Sequence, residues 1–278
     1  MRERILMLTG VELYKLSRQK FAYLLIVFVV MNAMLVGIGS RIFPAIMSAM
    51  HGAGGAPAFD GYTFASIIGS GTFGAAGAGT IAMLAFSGSM VASETEGGTL
   101  KNILVRPVYR SEFLIAKALA LFVYCAAIVA VTAVLGISAG AAMYGLGDIS
   151  IAETGEVYRT QHEMFMNLGV MYMMDLLSIY AVGCMGLLMS VVINNNGWAV
   201  ITSLVMYFPV MFLKNFGVFK DWIFTAYMDM GQNILREMVV VKSKTWLPDL
   251  YYFAGVNLIT IALFVSLSVY LFGRKEIH

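Results

Sequence analysis

Apolar residues along this chain gather into long runs separated by short polar stretches. Several runs reach the ~20 residues that a helix needs to cross a bilayer core. Six spans are predicted, at residues 21–39, 64–92, 113–146, 164–193, a short fifth at 198–213, and 250–272. The second carries small residues four apart, Gly71, Ala75 and Gly79, beside Ser70, Gly74 and Ala78. The third carries Thr132, Gly136 and Gly140. Small residues at that spacing let helices approach closely in lipid, so both stripes are expected packing faces.

The polar stretches differ in kind. Residues 1–20 interleave Arg2, Arg4, Lys15, Arg18 and Lys20 with Ile5, Leu8, Val11, Leu13, Tyr14 and Leu16. Apolar positions that recur every three or four residues predict an interfacial amphipathic helix on an anionic membrane face. Residues 40–63 form a loop containing Arg41, Pro44, His51, Pro57 and Asp60, and residues 147–163 are polar. Asn194-Asn195-Asn196-Gly197 is a tight uncharged turn. Residues 214–249 alternate charge and aromatics, which suits two short re-entrant helices with Trp and Tyr at headgroup level.

Residues 93–110 stand out. Ser93 and Glu96 have capping-box spacing, which would start a helix here. Leu100, Ile103 and Leu104 follow at helical spacing, and Pro107 ends the helix. The residues alone leave two readings open, a short amphipathic helix on the membrane surface or an ordinary polar loop.

Composition narrows the class. The chain has 278 residues, 60% hydrophobic and 12% charged, with mean hydropathy +0.81. A soluble domain carries about a quarter charged residues, so the fold class is an all-α polytopic membrane protein in a single domain, 1–278. A charged stretch precedes the first apolar run and no small-x-small site follows it, so a cleavable signal is not expected. Cys125 and Cys184 fall within spans and read as small apolar fillers. With six spans both termini share a side, which carries Arg2, Arg4, Lys15, Arg18, Lys20, Lys101, Arg106, Arg110, Lys117, Arg274 and Lys275. The other side has Arg41, Arg159, Lys214, Lys220, Arg236, Lys242 and Lys244. Eleven against seven places the termini and residues 93–112 in the cytoplasm. The net charge of +2 lies beside apolar segments and indicates lipid, with no nucleic-acid partner.

Glu94-x-Glu96-Gly97-Gly98-Thr99-Leu100, followed by Pro107, Arg110 and Lys117, resembles the coupling-helix region of ABC-2 type transporter permeases. The match covers about 25 residues, and the order of apolar segments extends it loosely over the chain. The resemblance implies the transmembrane subunit of a type V-like exporter in a bacterial cytoplasmic (inner) membrane. It implies a second permease subunit, alike or related, and a separate ATP-binding subunit on the cytoplasmic side holding ATP and Mg. The second and fifth spans would line the path. The residues assigned to coupling are Glu94, Glu96, Gly98, Thr99, Leu100, Ile103, Leu104, Arg106, Pro107 and Arg110. No cofactor is expected in this chain, which lacks Gly-x-x-x-x-Gly-Lys-[Ser/Thr] and so is not expected to be an enzyme.

Three further features stand apart from the coupling stretch. Asp175 is the only acid deep in a span, a candidate for the substrate path or a cation, or else a hydrogen-bonded carboxyl. Lys117 lies in the first turns of its span, where it can snorkel to the interface. His162, Met164 and Met166, with Met171, Met173 and Met174, offer soft donors of the kind that suit Cu(I), or simply packing. The alternative function is a secondary transporter or channel without an ATPase, which needs ionisable residues within the membrane or an inverted repeat.

Overall fold

The computed structural model describes residues 2–51, 65, 68–69, 77–99, 109–147, 149–150, 157–216, 222–228 and 247–275. These residues are helical apart from turns and one short ribbon. The helices are α1 (Arg2–Arg18), α2 (Lys20–His51), α3 (Ala78–Ser89), α4 (Ala92–Glu96), α5 (Arg110–Tyr144), α6 (Gln161–Val192), α7 (Asn196–Leu213) and α8 (Leu247–Arg274). The ribbon pairs β1 (Ile149–Ser150) with β2 (Val157–Arg159), antiparallel, inside the stretch expected to be a polar loop.

Among the described residues five helices are long and apolar enough to cross a membrane, over Ala22–Gly39, Arg110–Met143, Gln161–Val192, Asn196–Leu213 and Leu250–Arg274. They match five of the six expected spans, and α2 continues past the expected end at residue 39 to His51. The remaining span, 64–92, is not one helix. Gly77 has extended backbone and begins α3, and Met90–Val91 form a turn before α4. Glycine is among the poorest helix formers, so a glycine-rich run breaks easily where tertiary contacts favour it. Most of the small-residue stripe at 70–79 lies outside the described residues, as do residues 217–221 and 229–246 of the expected re-entrant region. Within that region Phe224–Tyr227 form a 3-10 turn. Phe224 packs edge-on to Phe264 at 6.1 Å, and Thr225 Oγ1 donates to the Val210 carbonyl at 3.0 Å.

Burial identifies the central helix. Over an apolar 18-residue stretch of each helix, 72% is buried in α6 against 17% in α7 and 17% in α8. α6 packs on α3, α5, α7 and α8. Met83 and Phe86 of α3, with Met90 just after it, meet Leu121, Tyr124 and Ile128 of α5 and Ile179, Leu187 and Val191 of α6 in one core. Phe86 stacks on Tyr124 with ring centroids 4.1 Å apart. The outward faces stay apolar. Tyr23, Leu24, Val27 and Met31 of α2 are exposed, as are Ile201, Val205, Phe208 and Phe212 of α7. Such faces suit a lipid surround.

Close approach of α3 to its neighbours depends on small residues. A Cβ at Gly186 would lie 2.0 Å from Ser87 Oγ, and one at Gly88 would lie 2.8 Å from Ser203 Oγ. Gly136, from the predicted stripe on α5, lies against Ala65, where a Cβ would sit 3.3 Å from the Ala65 Cα.

Candidate functional site

The candidate site lies at the end of the bundle where α1, α4, the start of α5, the α6–α7 turn and the end of α8 meet. It starts from the pattern of α1. Ile5, Thr9, Glu12 and Leu16 recur at helical spacing, and Thr9, Glu12 and Leu16 are buried. α1 lies along α5, so Glu12 turns towards the protein while Leu6, Met7, Val11 and Tyr14 stay exposed. The interfacial-helix expectation therefore gains a polar inner face that the basic and apolar residues did not reveal.

Glu12 belongs to a closed set of four charges. Lys15 Nζ lies 2.7 Å from Glu12 Oε1 and 3.0 Å from Glu94 Oε1. Lys117 Nζ lies 2.8 Å from Glu12 Oε2 and 3.0 Å from Glu94 Oε1. Each lysine thus touches both carboxylates, and the set is neutral. Lys117 also donates to the Met90 carbonyl at 3.1 Å, so three oxygens meet the three protons of its ammonium. At 1% side-chain exposure Lys117 does not snorkel to the interface. Two carboxylates and a free carbonyl at the α3–α4 bend draw it inward, because an ammonium this deep needs every proton partnered.

Burial pushes the Glu12 carboxyl up, but the Lys117 and Lys15 ammonium groups outweigh it and hold the carboxyl below its ordinary range. Burial likewise pulls Lys15 down, and hydrogen bonds and charge from Glu12 and Glu94 outweigh that and raise it. Both residues are therefore charged at neutral pH.

The stretch around Glu94 is fastened on other sides too. Ser190 Oγ of α6 accepts from the Val91 and Ala92 amides at 2.8 and 2.9 Å, satisfying donors that α4 leaves open at its start. Glu96 accepts from Asn195 Nδ2 at 3.1 Å and from the Asn196 amide at 2.9 Å. A carboxylate at the start of α7 is favoured by the helix dipole. Asn195 Oδ1 in turn caps α7 by accepting from the Trp198 amide at 3.1 Å.

The expected Ser93–Glu96 capping box does not form. α4 begins at Ala92 with Val91 before it, Ser93 is exposed inside the helix, and Glu96 is drawn to α7. Gly97 and Gly98 end α4, and Gly98 adopts φ +68°, a left-handed conformation that favours glycine. Thr99 Oγ1 donates back to the Glu94 carbonyl at 3.3 Å. Leu100, Ile103, Leu104, Arg106 and Pro107 lie outside the described residues.

Arg110 opens α5 and reaches the end of α8, where Nη1 donates to the Lys275 carbonyl at 2.6 Å. Lys275 Nζ donates to the Val191 carbonyl at the end of α6. Burial lowers the Lys275 ammonium below its ordinary value. Cations at helix C-termini are placed as the dipole prefers.

Of the predicted site residues, Glu94, Glu96, Gly98, Thr99 and Arg110 gather at this end, while Asp175 lies elsewhere, buried in α6. Glu12 and Lys15 were the partners that pattern reading missed. Their signal was an acid on the buried stripe of a basic helix, three residues before a lysine. The His162, Met164 and Met166 donors are not brought together. His162 and Met166 are exposed and Met164 is buried, because i and i+2 point to opposite sides of a helix. No cluster of three His, Cys, Asp or Glu side chains that could hold a metal occurs among the described residues. Chemically the charged set is a brace: it joins three helices with no exposed nucleophile in it.

Residues 25–278 match the family model described as "Protein of unknown function (DUF2705)", so the chain belongs to that family. No curated protein matches the chain.

Proposed function

We propose that this member of the DUF2705 family is the transmembrane permease subunit of an ATP-driven exporter of the ABC-2 type. In this reading it pairs with a second permease subunit in a bacterial cytoplasmic membrane. It has six spans with both termini in the cytoplasm. ATP and Mg sit on a separate ATP-binding subunit, and the stretch 93–110 is the joint to it.

The observation that carries this reading is the brace around Glu94 and Glu96. A joint that passes a displacement from a motor to the spans has to be stiff where it enters them. Glu94 is held by Lys15 and Lys117, and Glu96 by Asn195 and Asn196, so α4 is tied to α1, α5 and α7 together. Glu94 and Glu96, which the resemblance assigns to coupling, fit as internal fasteners of the joint. The apolar contact with the motor then falls to Leu100, Ile103 and Leu104, which would fill a groove on that subunit.

The test is the double substitution Leu100→Asp and Leu104→Asp. Tagged chain purified from its own membranes in mild detergent should bring down a P-loop ATPase and its activity. The double variant should insert normally and lose both, because burying unpaired charge costs several kcal/mol. Full coupled ATPase activity in the variant would remove this assignment. A secondary transporter or channel is the second reading, favoured by the buried carboxyl of Asp175. A purified wild-type chain that moves cargo with no ATPase present would establish it.

A further inference from the structure

Asp175 lies well inside α6, ~21 Å from the first residue of that helix and ~26 Å from its last at 1.5 Å per residue. It is 4% exposed, and its Oδ2 is buried with no hydrogen-bond partner among the described residues. The carboxyl points at the helical segment containing Ala65, Ile68 and Gly69. A Cβ built on Gly69 would lie 3.5 Å from Asp175 Oδ2, 2.9 Å from Tyr172 Cε1 and 3.0 Å from Met171 Cε. Glycine there is what lets the backbone reach the carboxyl. The contact is tied from both sides: Tyr172 donates its hydroxyl to the Ala65 carbonyl at 3.0 Å, and Gly136 of α5 packs on Ala65.

Among the described residues the surroundings contain no counter-charge. On α6 the titratable neighbour is Tyr172, whose proton is given to Ala65. The segment presents Ala65, Ile68 and Gly69. α5 presents Thr132 and Gly136 in this region, and Thr132 Oγ1 donates within its own helix to the Ile128 carbonyl. α8 packs Leu250, Phe253 and Ala254 against Val170, Met174 and Leu177. Asn257 of α8 is an amide and does not titrate. An isolated carboxylate in such a place would carry a prohibitive desolvation cost, and a carboxyl so placed is neutralised instead. Mg and Ca need about six or more oxygen ligands, and among the described residues no cluster of acidic, His or Cys side chains stands here to supply them. A proton needs no space.

We propose that Asp175 carries a proton while the Ala65–Gly69 segment lies against α6, and exchanges it with water only when the two separate. The site is then a proton-binding site coupled to helix separation inside the bundle. When the helices part, the O–H proton leaves to water and the carboxylate is hydrated. When they close, the proton returns. This inference does not depend on the export reading and needs no knowledge of the cargo.

Infrared spectroscopy of the purified full chain in lipid nanodiscs tests it. At neutral pH the wild type should show the carbonyl stretch of an un-ionised carboxylic acid, absent in Asp175→Asn. In D2O that band should shift slowly. Gly69→Ala, whose methyl meets Tyr172 and Met171, should speed the shift about tenfold by easing local opening. No band difference between wild type and Asp175→Asn would overturn the proposal. So would wild-type exchange as fast as in Gly69→Ala. The amide has the shape of the neutral acid, so failure of Asp175→Asn to insert would mean that an ionised carboxylate is required, and would overturn it as well.

Discussion

Replacing Lys117 with methionine removes the most deeply placed charge of the four. Its ammonium touches Glu12, Glu94 and the Met90 carbonyl, and its side chain is 1% exposed. After the substitution two carboxylates share Lys15, which is 34% exposed, and the set falls from neutral to one net negative charge. Stranding one member of a buried ion pair costs about 3–5 kcal/mol. The lower end applies here because Lys15 still reaches both acids. About 3 kcal/mol is a factor of about 150 in the folding equilibrium.

The companion variant Glu12→Leu/Lys117→Met leaves the neutral pair Lys15–Glu94 and should recover most of that loss. What remains is about 1–2 kcal/mol for the Met90 carbonyl left without its donor. The coupling energy between positions 12 and 117 in a double-mutant cycle should therefore be at least about 1–2 kcal/mol, the part of the Lys117→Met loss that the second substitution recovers, plus whatever Glu12→Leu costs alone. Denaturant titration of the full chain in mixed micelles, followed by tryptophan fluorescence, gives all four stabilities. A single-variant loss below about 1 kcal/mol would mean that the pair behaves as an exposed one. An additive cycle would mean the contacts are not energetically linked. Either result would refute the reasoning about the brace.

Two further predictions concern the same elements. Glu12 is held below its ordinary value of 4.5 in the fold, so its contribution is present above that value and is lost as pH falls through the lower, folded one. Lys15 is raised, so its contribution is full below 10.5 and is lost as pH rises through a value above it. Hydrogen exchange of the α1 peptide, corrected for the intrinsic rate, should show loosening below pH 4.5 and above 10.5 with a protected plateau between, and a flat profile would count against the ion pairs. Gly186→Ala would stabilise an exposed helix by about 1 kcal/mol. Here the methyl would sit 2.0 Å from Ser87 Oγ, and overpacking should instead cost about 1–3 kcal/mol, partly recovered by adding Ser87→Ala in thermal melts.

Much of this protein is legible in one dimension. Apolar runs long enough to span a bilayer identify a membrane protein, because backbone groups in lipid are satisfied within each helix and need no distant partner. Five spans follow from that local rule, and the helix at residues 2–18 from its own periodicity; of the expected Asn194–Gly197 turn, Asn196 and Gly197 instead open α7. The Gly97–Gly98 turn is also local, yet the capping-box reading runs a helix straight across it to Pro107; α4 instead ends at Glu96, and Gly98 takes the left-handed conformation that favours glycine.

What the pattern could not supply was decided between segments far apart in sequence. Lys117 looks like a residue bound for the headgroups until Glu12, 105 positions away, arrives beside it. The fate of a charge depends on whether its desolvation is offset, and only the fold brings the offsetting partner. Glu96 has the spacing of a cap for its own helix, yet it caps α7, because the Asn196 amide 100 positions on is the donor within reach. The bend at Met90–Val91 needs the Lys117 ammonium and the Ser190 hydroxyl to satisfy the backbone it frees. Asp175 was visible as an acid within an apolar run. That it faces Gly69, with no counter-charge among the described residues, depends on which helix lies opposite, and that is settled by packing alone.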